Sequence, residues 1–429
     1  MRNMHQIDST WKKKFLATAI AFTFPVAAAH ASGFRIPEVS VAGTAYSNAL
    51  VANTDELGAV AYNPAIISFQ EGKAAMLGVN YIDIEFTYTP TAPNTGAETK
   101  GNGENSHYVP NLLLSTVGVN NWGFVMLVNA PFGLETSWPD ETFSSFAPVV
   151  IDPGPPAVEL DDLEPTLSKI EMLNYNPNLS YKFDETGSVS FGLDFYDVRN
   201  LTFNSQGFQI EGTGSGVGWN VGAIKKFGAI TIGAAYRSAV ETDITGSFDA
   251  SALGPPGTVL GATAKLEFPD IFQFGFHYQA SDALSIEFDA DRTGWSSFDQ
   301  IQIKNSLGGT FTTSTNNWNN SWAYRLGMGY KISDRFKLMF GYSYDNTPQP
   351  DEYFSARVPD ADRQLFSIGA KQDIGGWILE YSYMYVNVDT RTINSSTPLT
   401  TSDPNGTVLY NGKYATDLHL IGLSLATKF

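Results

Sequence analysis

The 429-residue sequence contains no cysteine. It can therefore hold no disulfide framework, thiolate metal site or cysteine nucleophile. Charge is scarce as well: Asp, Glu, Lys and Arg make up 16% of the chain, against about 25% in a typical soluble domain. The charge present runs negative, 44 acids against 26 bases, which disfavours nucleic acid as a partner. In the body of the chain no uncharged apolar run reaches the roughly 18 residues that a membrane-spanning helix needs. A helical membrane protein is thereby excluded. Against these absences stand 29 Phe, 20 Tyr and 8 Trp, and few charges with many rings suggest a membrane neighbour.

The N-terminus reads as a secretion signal. Lys12, Lys13 and Lys14 precede a mostly apolar run, Phe15 to Ala29, and Ala29-His30-Ala31 is a small-x-small cleavage site. The expected mature chain starts at Ser32. It sheds four positive charges and one negative, which takes the net charge from -18 to -21.

The body of the chain alternates. In Leu284 to Asp291 every even position is apolar and every odd one polar, the two-residue period of a strand with unlike faces. Trp322, Tyr324, Leu326, Met328 and Tyr330 interleave likewise with Ala323, Arg325, Gly327, Gly329 and Lys331. One face carries charges and glycines while the other carries rings, the pattern of a polar lumen inside an aromatic-girdled wall. About fourteen such strands are expected, near 73–89, 107–119, 122–134, 172–183, 187–204, 217–227, 229–247, 262–279, 283–303, 320–332, 335–347, 363–373, 375–391 and 415–429. Short and long connections alternate between them, as in a barrel with periplasmic turns and external loops, and closure satisfies every backbone polar group inside the bilayer. The fold class expected is thus an all-β membrane protein, an antiparallel transmembrane barrel over 73–429 in the bacterial outer membrane. Residues 32–72, which carry no strand pattern, form either a periplasmic tail or a plug.

Catalysis finds little support. His107, His277 and His419 are the histidines left after processing, and none adjoins a Gly-x-Ser-x-Gly elbow. Gly212, Gly214, Gly216 and Gly218 imitate a phosphate loop but lead into a strand, so they read as a flexible loop tip. Asp289-Ala290-Asp291 imitates a calcium loop, yet alternation puts both acids on the lumen face. No enzyme, metal or cofactor is expected.

Particular segments resemble the FadL family of outer-membrane transporters of long-chain fatty acids and aromatic hydrocarbons. These are Gly33-Phe34, Gly43-Thr44-Ala45-Tyr46-Ser47 and Asn63-Pro64-Ala65, followed in family order by Pro131-Phe132-Gly133-Leu134-Glu135-Thr136, Asn176-Pro177-Asn178-Leu179-Ser180-Tyr181, Gly218-Trp219-Asn220-Val221-Gly222 and Pro359-Asp360-Ala361-Asp362-Arg363, among others. The likeness covers the whole mature chain and implies a fourteen-stranded barrel whose lumen is closed by an N-terminal hatch, here 32–72, with Asn63, Pro64 and Ala65 moving when ligand binds. It further implies capture of an apolar molecule outside, binding in a lumen pocket and sideways release through a kinked third strand. Asn129, Ala130, Pro131, Phe132 and Gly133 mark that gap, because proline cannot donate to a ladder and belongs at a bulge or unpaired edge. Lateral release keeps the cargo out of water, preserving about 0.8 kcal/mol per CH₂.

Trp138, Phe143 and Phe146 in the long loop 135–171 offer a greasy docking surface. Arg199, Arg237, Arg325, Lys331, Arg357 and Arg363 are lumen cations able to hold a head group, with Arg363 expected to pair with neighbouring Asp360 or Asp362. The likeness departs at Trp318, which is followed by Asn319 where the family often has Lys, and this leaves neutral hydrocarbons open as an alternative to fatty acids. A general porin and a surface adhesin are the alternatives of another class; a plug argues against the first and a proline-kinked strand against the second. The partners expected are a hydrophobic small molecule, outer-membrane lipid and lipopolysaccharide, and the barrel-assembly machinery, with the barrel acting as a monomer.

Overall fold

The computed structural model describes residues 33–102, 106–152, 158–249, 258–306, 308–399 and 403–429; the expected signal peptide lies outside them. Fourteen antiparallel strands close on themselves. In chain order they are β1 (Lys73–Pro90), β2 (Ser106–Val117), β3 (Trp122–Asn129, resumed as Leu134–Ser137), β4 (Pro165–Asp184), β5 (Gly187–Ser205), β6 (Gln209–Phe227) and β7 (Ile230–Arg237, resumed as Val240–Asp249). Then follow β8 (Val259–Phe268, resumed as Ile271–Gln279), β9 (Leu284–Thr293, resumed as Gln300–Asn305), β10 (Thr310–Thr315, resumed as Ser321–Ser333), β11 (Phe336–Asp345), β12 (Arg363–Ile374), β13 (Trp377–Val388) and β14 (Gly412–Lys428). Each strand pairs with its sequence neighbours, and β1 closes on β14 from Ala74↔Lys428 to Pro90↔Gly412. Among the described residues the barrel sheet has no edge strand left to be satisfied inside the bilayer.

The alternation decides which face is which. Along β10, Trp322, Tyr324, Leu326, Met328 and Tyr330 are exposed, whereas Ala323 and Arg325 are buried. The wall therefore presents rings outward, and its charges turn into the lumen. At roughly 3.3 Å per residue the 18-residue β1 is about 60 Å long, far more than the 9–11 residues that cross a bilayer, so the strands project beyond the membrane.

Three expected boundaries shift by more than a few residues, and the largest shift is in β10, which starts at Thr310 rather than near 320 because Thr310–Thr315 pairs with the far piece of β9. β4 starts at Pro165 rather than near 172, because Leu134–Ser137 and the far end of β5 both pair with it there. β6 starts at Gln209 rather than 217, so the glycine-rich stretch is strand and not a loop tip. It reads as loop because glycine removes the alternation signal; it folds as strand because a Cβ at Gly214 or Gly216 would lie 2.3 or 2.4 Å from a carbonyl oxygen of β7.

Residues 33–70 fill the lumen and are buried almost throughout. Short helical turns at Val41–Ala45, Leu57–Ala61 and Pro64–Phe69 carry small apolar residues against the inner wall. Ala42, Tyr46, Leu50, Val51, Val60, Tyr62 and Ile66 form a core there with inward side chains such as Met76, Leu113, Val125 and Met339. Of the two sequence alternatives for this segment, the plug is the one that the packing realises.

Candidate functional site

The lumen segment is seated by charge. Arg35 Nη2 lies 2.9 Å from Asp291, which also accepts from Arg325 Nε at 3.1 Å; Arg325 Nη2 reaches Asp345 at 3.3 Å, and Arg363 lies 3.9 Å from Asp345. Glu56, fully buried, pairs with Lys337 at 2.6 Å and with Lys371. Backbone donors complete the seat: Val51 N–H reaches Asp289 at 2.9 Å, and Ala52 N–H reaches Glu287 at 2.6 Å. Asp289 and Asp291 thus hold the lumen segment rather than an ion. Asn63 caps Pro64–Phe69 by accepting from Ala65 N–H at 3.2 Å, and its amide donates to Val51 O and to Ala223 O of β6. It can approach that closely because position 222 is glycine, whose missing Cβ would stand 2.2 Å from Asn63 Oδ1.

The third strand breaks where the proline predicts. Its first part pairs with β2 over Gly123–Val128 and its second with β4 over Leu134–Ser137, and between them residues 130–133 leave the wall ladder. The first lumen residues pair with the displaced piece instead: Ile36 N–H donates to Pro131 O at 2.8 Å, and Gly133 N–H donates to Phe34 O at 2.9 Å. Residues 106–111 of β2 consequently pair with β1 alone. His107, unremarked as a site residue in the sequence, faces the break from β2, 3.7 Å from Glu135. Phe132 is buried among Phe34, Tyr196, Phe268 and Trp295, the nearest ring, Phe268, being 5.0 Å away.

Above the break lies a narrow crevice lined by Phe34, Leu134, Ile170, Leu201, Phe203, Ile244, Leu266, Phe298, Ile301, Ile303, Trp318, Val358 and, among its few polar groups, Arg357. Its volume of about 40 Å³ holds only a few waters, an order of magnitude below ligand-filled pockets. Cargo can occupy it only when side chains move aside. Arg357 is 8% exposed and donates to Ser168 Oγ, Asn204 O and Ser205 Oγ, with its guanidinium 3.7 Å above the Phe203 ring. No carboxylate partners it among the described residues. Burial pulls its pKa down to about 10, still charged at neutral pH.

The other sequence-named cations differ. Arg237 pairs with Asp194, and Arg325 and Arg363 belong to the charge seat. Arg199 is not a lumen residue: β5 turns its odd positions outward here, and Arg199 is exposed beside Asp197 and Tyr175. Lys331 lies at the exposed end of β10. Trp138, Phe143 and Phe146 are not an open surface either, at 4%, 0% and 5% exposure. They pack inward on Tyr88, Tyr410 and Tyr414, because the loop folds over the barrel mouth.

That loop is pinned by Glu164, whose carboxylate accepts from Phe143 N–H at 2.7 Å and from the Gln206 amide. Burial raises Glu164 from 4.5 to about 7, and Asp140 and Glu141 add to the rise. Its folded form holds a proton that the unfolded form has lost, so the clasp weakens as pH climbs from about 4.5 to 7, by at most roughly 1.4 kcal/mol per pH unit. Proteolysis of the loop is expected to quicken from pH 5 to pH 8. In Glu164→Gln that pH dependence should vanish; an unaltered profile would contradict the clasp.

A closed fourteen-stranded barrel with an apolar outer wall, a lumen segment seated on buried charge and a broken third strand defines a membrane-spanning β-barrel filled by its own chain. The comparisons make this specific. The family model described as outer membrane protein transport protein (OMPP1/FadL/TodX) matches residues 23–152 and 163–429, and the chain belongs to that family. A long-chain fatty acid transport protein of Salmonella typhi is 22% identical over 398 residues, covering 82% of this chain and 86% of the relative. Among solved structures, a Pseudomonas aeruginosa FadL homologue superposes with a TM-score of 0.75 at 20% identity, covering 92% of this chain and all of that one. The Ralstonia pickettii toluene transporter TbuX gives 0.68 at 16%, covering 91% and 99%. The protein is an outer-membrane transporter of hydrophobic molecules.

Proposed function

We propose that the cargo is a single-chain amphiphile bearing one carboxylate, a long-chain fatty acid, bound in the crevice with its head group on Arg357. The observation that carries this reading is the cation itself. With Lys265 at the crevice rim tied to Glu241, a buried guanidinium with neutral partners leaves one positive charge that a carboxylate would complete with charge-assisted, fork-shaped hydrogen bonds. The apolar remainder suits the acyl chain. In this reading residues 32–72 act as a hatch, Asn63, Pro64 and Ala65 shift to unseat it, and release runs sideways through Asn129, Ala130, Pro131, Phe132 and Gly133. Trp138, Phe143 and Phe146 first receive the cargo when the outer loop lifts. The wall meets lipid and lipopolysaccharide, the assembly machinery inserts the barrel, and one chain acts as a monomer.

The test compares a spin-labelled fatty acid with a neutral alkane of equal length on purified protein. Arg357→Gln is expected to weaken fatty-acid binding by 10- to 100-fold, about 1.4 to 3 kcal/mol, and to leave the alkane unchanged. Arg357→Lys should retain part of the affinity. Equal binding of both probes by wild type and Arg357→Gln would favour neutral hydrocarbons as cargo.

A further inference from the structure

The third-strand break is not the wall's only lapse. Between β8 and β9 the ladder runs from Gln279↔Ser285 to Ile271↔Thr293 and resumes at Ala264↔Ile303. Seven steps along β8, from 271 back to 264, are thus matched by ten along β9, from 293 to 303. The three surplus residues are taken up by the turn Trp295–Ser297. Among the described residues one backbone hydrogen bond crosses the lapse, from Gly294 N–H to Asp270 O at 2.8 Å. On either side of β8 and β9 pairing continues, with Val240↔Phe268 toward β7 and Gln300↔Thr315 toward β10. The seam is therefore local, and both its flanks are braced.

Cavities meet on the two sides of this seam. Outside is a groove of about 490 Å³, whose wall includes the exposed residues Glu241, Thr263, Lys265, Gln300 and Lys304. Inside is the crevice of Arg357. The two share Ile244, Ala264, Lys265, Leu266 and Phe298, so a single layer of side chains separates them. Phe298 is the largest member of that layer and is 6% exposed. The seam begins just beyond Phe272, an outward ring of β8, which puts its mouth at the edge of the lipid-facing girdle, where head groups lie. Elsewhere an unpaired stretch at this depth would be a defect; here it lies between an open groove and an apolar crevice that is too small for cargo unless something moves.

We infer that the β8–β9 seam is a second mouth of the binding crevice, gated by Phe298, through which the acyl chain of an amphiphile held at Arg357 threads between the crevice and the outer groove. The inference rests on the carboxylate reading above for the identity of the occupant, while the seam itself is independent of it. The groove's acids, Glu241, Asp243, Glu267 and Asp299, surround Lys265 and Lys304, and Lys265 is already tied to Glu241 at 2.5 Å. That rim repels a carboxylate, so the tail and not the head passes through the seam. A crevice open at its apolar end also lets one head-group site serve chains of several lengths, since the excess projects into the groove.

The absence of native cysteine permits a clean clamp. Lys265→Cys with Gln302→Cys places a thiol pair one step beyond Ala264↔Ile303, on the outward face of both strands. With the bridge verified by mass spectrometry, oxidised cells are expected to take up a long-chain fatty acid at least tenfold more slowly than reduced cells, and reductant should restore the rate. Purified clamped protein should still bind a short, eight-carbon fatty acid with wild-type affinity. Equal uptake with the bridge closed and open would overturn the second mouth. Loss of all fatty-acid binding in wild type, or indifference to Arg357→Gln, would instead defeat the carboxylate reading alone, and the clamp would then be read with toluene uptake. Should the thiols fail to bridge, Phe298→Ala joins crevice and groove. Several-fold tighter binding of chains longer than sixteen carbons is expected, and unchanged chain-length preference would refute the gate.

Discussion

Replacing Arg325 by Met is expected to unseat the lumen segment and turn a closed barrel into an ion-conducting one. Arg325 is 1% exposed and bridges Asp291 to Asp345, with Arg35 and Arg363 at the ends of the chain of charges. Its loss leaves Asp291 with Arg35 alone and Asp345 with Arg363 at 3.9 Å, and removing one partner from buried ion pairs costs up to about 3–5 kcal/mol. The barrel ladder does not depend on this arginine, so the penalty falls on the seating of residues 33–72. Planar-bilayer recordings should show frequent openings in Arg325→Met and few in wild type. The barrel should meanwhile keep its heat-dependent shift in electrophoretic mobility. Arg325→Lys keeps a positive charge between Asp291 and Asp345 and should leave the pore closed in larger part, because both buried carboxylates stay compensated. Conductance equal to wild type in Arg325→Met would mean that the segment is held by its apolar packing alone.

The same residues explain what the sequence could and could not disclose. Strand number and facing were legible because alternation is local: Trp322 and Arg325 declare opposite faces within four residues. The third-strand break was legible because Pro131 cannot donate to a ladder whatever its neighbours are. The β8–β9 seam was not. Its surplus residues, Trp295-Ser296-Ser297, look like ordinary strand, and a register mismatch exists only between two strands. The six candidate cations could not be ranked for the same reason. Arg325 meets acids 20 and 34 residues away, and Arg363 meets Asp345 rather than being tied only to its sequence neighbours. Arg357 stands out only once those long-range partners are assigned and no acid among the described residues is left for it. Trp138, Phe143 and Phe146 were legible as greasy, but their burial was not, since loop composition does not reveal which way a loop folds.

Filling the third-strand break should abolish uptake without unfolding the barrel. Ala130 is fully buried beside the displaced Pro131, and Ala130→Lys would place a charge there that neither the hatch nor an acyl chain can solvate. Pro131→Ala acts from the other side, restoring an N–H and relaxing the backbone so that residues 130–133 can rejoin the ladder with β2. Both are expected to lower fatty-acid uptake at least tenfold while Arg357-dependent binding persists, since the crevice lies above the break. The two substitutions separate two events. As long as Phe34 and Ile36 pair with Gly133 and Pro131, the displaced piece is held inward by the lumen segment, so in the proposed route the break would open only together with a shift of that segment. A disulfide fixing Arg35→Cys to Phe132→Cys, two positions that face each other directly, should therefore stop release even with Pro131 intact. Uptake at the wild-type rate by that locked, well-folded protein would show that cargo leaves by another path, and the β8–β9 seam would be the first place to look.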